Sequence, residues 1–159
     1  MKKIKTQCHI CQNVTKDETP PTVCPRCGAN LANPSEETVQ KKTNCSLNKG
    51  LFGSGAGILY LTNRRMLWVK SEANAMTYGG GLVGGVAAAV ANSKAKGRKN
   101  WFDIPLADLR SVSAKKRGLF GKAMLLTDRE NNEYDLSPGK RKEWLPELEQ
   151  VIKRSYVAK

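Results

Sequence analysis

The chain has 159 residues, a formal net charge of +13 and a single histidine. That length accommodates one ordinary domain and a small accessory module. One histidine, with no nucleophile-elbow or phosphate-loop pattern, argues against the common catalytic chemistries, and the basic balance favours an anionic partner on nucleic acid or lipid. The excess is uneven: residues 94–122 carry nine basic and two acidic side chains, whereas 123–159 are balanced.

Residues 1–33 hold two Cys-x2-Cys pairs, Cys8/Cys11 and Cys24/Cys27, with twelve residues between them. Thiolates spaced in this way take adjacent corners of a tetrahedron, and two such knuckles close the four-sulfur shell of structural Zn2+. The segment is too short to bury a useful core, so metal binding must supply its folding free energy. Gly28 suits the turn after the last ligand, where positive φ is needed, while Gln12 at the matching place fits less well. The rival reading is two disulfides. Met1-Lys2-Lys3-Ile4 starts no apolar run of signal-peptide length, so the expectation is a cytosolic chain with reduced thiols. A closed shell leaves no open position for catalysis, and His9, inside the first knuckle, is not needed as a ligand. Residues 1–33 have no aromatic side chain for stacking on bases, and a four-thiolate zinc unit contributes a charge of about −2. This module therefore reads as a structural or protein-contact element.

Asn33-Pro34-Ser35 begins a linker, and residues 36–47 read as extended. Gly50, Gly53, Gly55 and Gly57 predict a loop or bulged edge. Ile58 to Leu61 and Arg64 to Val69 are β-prone runs around Thr62-Asn63, which predicts a hairpin. Further short strands are expected at Trp101 to Ile104, Leu109 to Ala114, Ala123 to Thr127 and Tyr134 to Leu136. Cys45 reads as a small hydrophobe on a strand rather than a reactive thiol. Trp144, Leu145, Leu148, Val151, Ile152 and Ser155 fall at helical spacing. Pro146 is tolerable if that helix starts near Glu143, and Lys153 and Arg154 complement its C-terminal dipole. A strand-rich region ended by an amphipathic helix predicts a small barrel or sandwich.

The run Gly57-Ile58-Leu59-Tyr60-Leu61-Thr62-Asn63-Arg64-Arg65-Met66 resembles the signature hairpin of GRAM and related bacterial pleckstrin-homology-like (PH-like) domains. Ile104-Pro105-Leu106-Ala107-Asp108-Leu109 resembles their next conserved stretch, and the Trp144-Leu145 helix their capping helix. The resemblance covers about residues 36–156. It implies a mainly-β, seven-stranded, partly open barrel with a C-terminal α-helix, of a kind often associated with membranes. Residues 1–33 resemble a zinc ribbon of the sort fused to many bacterial proteins.

Residues 70–100 depart from a minimal hairpin connection of two to five residues. No charge occurs from 73 to 93. On a helix, Leu82, Val83, Val86 and Val90 form one bulky stripe, while Gly80, Gly84 and Ala88 form a small-residue ladder that permits close approach of a helix or lipid. Five glycines would weaken a solvated helix by about 4–5 kcal/mol, so a partner surface is required. Lys94, Lys96, Arg98 and Lys99 follow, and Lys115-Lys116-Arg117 lie in another predicted loop. Four cations near an anionic leaflet contribute about 4 kcal/mol. Residues 76–91 would make about 24 Å of helix, against about 30 Å of hydrocarbon. Three readings stand: a membrane-inserting or interfacial segment, a helix packed on protein, and a flexible linker.

Together these features predict a non-enzymatic protein at the inner membrane face, with a zinc ribbon at 1–33 and a GRAM/PH-like domain at 36–156 contacting anionic lipid. The ribbon is left for a protein partner. The alternatives are a nucleic-acid-binding zinc-ribbon protein and an interaction module whose insertion mediates self-association.

Overall fold

The computed structural model describes residues 3–49, 55–71, 101–117 and 121–157. Strands β1 (Ile4–Gln7) and β2 (Val14–Asp17) form an antiparallel hairpin. A 3-10 turn over Pro34–Glu36 follows. Proline suits this position because its fixed φ and missing N–H cost nothing in a first turn.

Seven strands make the main sheet: β3 (Val39–Lys49), β4 (Gly55–Thr62), β5 (Arg65–Lys70), β6 (Trp101–Pro105), β7 (Leu109–Arg117), β8 (Gly121–Asp128) and β9 (Glu133–Pro138). Their order is β6-β5-β4-β3-β9-β8-β7, with every neighbouring pair antiparallel. The sheet is open. Its edges are β6 and β7, which follow one another across a 3-10 turn at Leu106–Asp108. Where a partly open barrel was expected, the seven strands form one continuous sheet that does not close. Helix α1 (Arg141–Val157) packs against β7, that 3-10 turn, β8 and β9.

Alternation along each strand sends one set of side chains into a common core. Leu59 and Leu61, Met66 and Trp68, Phe102 and Ile104, and Tyr134 and Leu136 belong to it, and α1 adds Trp144, Leu148 and Ile152. Phe102 stacks on Trp68 at 5.8 Å between ring centroids and on Tyr134 at 4.8 Å. Such pairs add about 0.5–1.5 kcal/mol each beyond their buried area. Cys45 is a buried core residue, as its small hydrophobic character predicts.

Three local expectations need correction. Gly55 and Gly57 lie inside β4, not in a loop. A Cβ on Gly57 would stand 2.4 Å from the Val69 carbonyl oxygen and 2.6 Å from Trp68 Cε2. The glycine is there because the indole crosses it, with Trp68 Nε1 donating to the Cys45 carbonyl at 3.1 Å. Helix α1 starts at Arg141, so Pro146 is its sixth residue and lies past the first turn. Proline there leaves the Lys142 carbonyl without its helical donor. Lys115, Lys116 and Arg117 belong to β7, where they pair with Ala123, Lys122 and Gly121. Successive strand residues point to opposite faces, so Lys115 and Lys116 diverge on a strand rather than sharing a loop.

Candidate metal centre

The two knuckles have the same backbone design. Cys8 N–H donates to the Asn13 carbonyl and Gln12 N–H to the Cys8 carbonyl, at 2.9 and 3.1 Å. In the second knuckle Cys24 N–H donates to Ala29 and Gly28 N–H to Cys24, both at 2.9 Å. The residue after each second cysteine is left-handed, with φ of 62° at Gln12 and 70° at Gly28. Gln12 therefore meets the demand that only Gly28 was expected to meet. Its amide Nε2 donates to the His9 carbonyl at 3.2 Å, and its Oε1 accepts from Gln7 Nε2 at 3.1 Å, which fixes the turn from outside. Gly28 has no room for a side chain. A Cβ there would lie 2.7 Å from Trp101 Cη2.

These turns bring Cys8, Cys11, Cys24 and Cys27 together with all four sulfurs within 4.8 Å of one another. Cys8 Sγ is 3.6 Å from Cys27 Sγ, and Cys11 Sγ is 3.7 Å from Cys24 Sγ. No disulfide joins them. A tetrahedral ion with metal–sulfur bonds of about 2.3 Å requires sulfurs about 3.8 Å apart, so the set fits such an ion. Three of the four ligands are buried and Cys11 is half-buried. Without an ion the thiols compete for protons. The sulfurs of Cys11 and Cys27 stabilise a Cys8 thiolate and push its pKa down, while Cys11 and Cys8 push Cys27 up. A divalent cation removes that conflict by holding all four as thiolates. His9 is outside the cluster, and its Nε2 is covered, with no hydrogen-bond partner among the described residues.

The centre rests on the outer face of the sheet. Cys8, Ile10, Cys24, Cys27 and Ala29 form one buried cluster with Tyr60, Leu67 and Val69, and Ile58 and Trp101 pack against it. Burial raises the Tyr60 pKa, and the Cys11 sulfur adds to the rise. Arg26 Nη2 donates to the Lys70 carbonyl at 3.2 Å. A sequence signal for this docking exists: Ile58 to Leu61 and Met66 to Val69 are continuous apolar runs rather than alternating ones, as strands covered on both faces require.

A second polar site was not legible. Glu37 receives Arg65 Nε at 2.7 Å and Nη2 at 3.0 Å, and Thr62 Oγ1 donates to it at 2.9 Å. Arg65 Nη1 also reaches Asp103 at 3.1 Å. The partners lie 28 residues apart, and no motif links them.

Of the other expected site residues, Lys115 pairs with buried Asp135 at 3.1 Å, and Lys116 is exposed. Lys94, Lys96, Arg98 and Lys99, with Gly80, Leu82, Val83, Gly84, Val86 and Val90, lie outside the described residues. Among the described residues, no helix is long and apolar enough to cross a membrane.

No family model matches the chain, and no curated protein matches it. Solved structures do. One is the C-terminal domain of an unknown protein from Leishmania infantum, with a TM-score of 0.53 and 15% identity over 76% of this chain and 89% of that one. At that identity the likeness concerns the fold alone.

Proposed function

We propose that the chain is a non-enzymatic, zinc-binding adaptor at an anionic membrane surface. The observation that carries the binding role is the closed set of four sulfurs within 4.8 Å. Four thiolates complete the tetrahedron and leave an ion no position for substrate or water, so zinc here builds structure. The order β6-β5-β4-β3-β9-β8-β7 and the C-terminal helix support the GRAM/PH-like reading. In that reading lipid phosphate meets the basic segment Lys94 to Lys99 and, on β7, exposed Lys116, while Lys115 is engaged by Asp135. The three large hydrophobics that stand exposed among the described residues, Ile4, Val14 and Val23, all belong to the ribbon, which suits it to a protein partner.

Flotation with anionic and neutral liposomes across a salt series tests the reading, comparing the full chain with a deletion of residues 73–99. Anionic-dependent flotation that salt weakens and the deletion abolishes is the expected result. A folded chain that stays with the soluble fraction at low salt would refute it.

Nucleic-acid binding is a second reading, favoured by one feature. Lys5 and Lys16 stand directly opposite each other on exposed β1 and β2. Like charges so placed repel, and a bound phosphate would relieve them. Salt-sensitive binding of an oligonucleotide that Lys5→Gln weakens would move the function to this hairpin.

A further inference from the structure

Besides its packing on Tyr60, Leu67 and Val69, the second knuckle meets the ends of both strands that flank residues 72–100. Arg26 donates to the carbonyl of Lys70, the last residue of β5. Gly28 lies against the indole of Trp101, the first residue of β6. Those strands are paired there, Val69 opposite Trp101. Among the described residues β6 is an edge strand whose one sheet neighbour is β5. An edge strand of five residues held from one side opens more readily than the strands inside the sheet, and the knuckle covers the end of it.

We infer that the metal-loaded knuckle Cys24–Gly28 is a clasp that holds the β5–β6 edge, so that metal occupancy sets the local stability of that edge. The inference rests on the zinc reading above. The left-handed turn at Gly28 persists because Cys24 and Cys27 are tied to one ion. When the ion leaves, the turn relaxes, the wall facing Trp101 is lost, and Arg26 is no longer aimed at Lys70. The remaining strands, β8 and β9 among them, keep their own partners and the helix. Metal release is thereby felt most where the chain enters and leaves residues 72–100, because β6 has the fewest other contacts to hold it.

Hydrogen–deuterium exchange on the full chain tests this, with zinc content measured on the same samples before and after a chelator. The clasp predicts at least tenfold faster exchange at Val69–Ser71 and Trp101–Ile104 after zinc removal, with Met124–Leu126 and Tyr134–Leu136 unchanged. Gly28→Ala, which keeps all four ligands but drives a methyl into the indole, should accelerate the same β6 amides with zinc still bound. If removal deprotects β1 and β2 but leaves β6 unchanged, the clasp is wrong and the zinc reading stands. If β8 and β9 open as well, the metal holds the whole fold and the local clasp is again wrong. A chain that takes up no zinc at all refutes the metal reading itself, and the clasp with it.

Discussion

Glu37 and Arg65 form a two-point ion pair, Nε to Oε1 at 2.7 Å and Nη2 to Oε2 at 3.0 Å, with each side chain 11% exposed. It ties the segment after the ribbon to β5, beside the metal centre's docking face. Removing one partner of a buried pair strands the other, at about 3–5 kcal/mol. Arg65 retains Asp103, so Glu37→Ala is expected at the lower end, about 3 kcal/mol in urea unfolding. Arg65→Lys keeps the charge and loses the fork, and should still lose about 1–3 kcal/mol. A lysine variant as stable as the parent would show that charge alone suffices.

The same pair fixes a pH dependence. Burial pushes the Glu37 carboxyl up, but the Arg65 guanidinium, helped by Thr62 and His9, outweighs it and holds the group below its ordinary 4.5. A carboxyl depressed by folding stabilises the native state fully above its unfolded value, and that stabilisation is lost as pH falls through the lower folded value. The stability difference between the parent and Glu37→Gln should therefore be largest at neutral pH and shrink below about pH 4.5. Metal loss in acid affects both chains alike and cancels in the difference. A gap independent of pH from 7 to 3 would contradict the assignment.

Gly57 marks a second constraint. A methyl there meets the Val69 carbonyl oxygen at 2.4 Å, and backbone cannot swing aside as a flexible side chain can. Gly57→Ala should cost about 3 kcal/mol, the upper end for overpacking. Gly55→Ala meets its nearest atom, on Lys70, at an ordinary 3.5 Å and should change stability by less than about 0.5 kcal/mol. Equal effects at the two glycines would show that strand propensity, not the Trp68 contact, decides.

Thiol counting separates the fifth cysteine from the other four. Burial pushes the Cys45 thiol up to about 12, so it is neither exposed nor ionised near neutrality. With metal bound, no cysteine should react rapidly with a maleimide. After chelation the ribbon loses its stabilising ion and four should react, with Cys45 following only on unfolding. Mass spectrometry gives the counts, and five rapid modifications on chelation alone would mean that the sheet core opens with the ribbon.

What the sequence disclosed depends on how local the controlling chemistry is. The metal ligands were legible because thiolate geometry forces Cys-x2-Cys spacing. The β4–β5 hairpin was legible because its apolar runs and polar turn lie side by side. Gln12 misled because a side-chain hydrogen bond to the His9 carbonyl supports a φ usually left to glycine. Gly57 misled because its reason is Trp68, on the neighbouring strand. Lys115 to Arg117 looked like a loop because charge dominates the triplet, whereas pairing with β8 makes it strand. The Glu37–Arg65 pair had no local trace, and the docking of the ribbon left one only in the unbroken apolar runs of β4 and β5.

The most direct test of the central claim is the metal content of the purified full chain, followed by the absorption spectrum after exchange into cobalt(II). The account predicts one zinc per chain, a cobalt spectrum of tetrahedral thiolate ligation, and loss of both on replacing Cys24 or Cys27 with serine. A chain whose residues 1–33 fold with no bound metal, or that binds zinc equally well after Cys27→Ser, would contradict it.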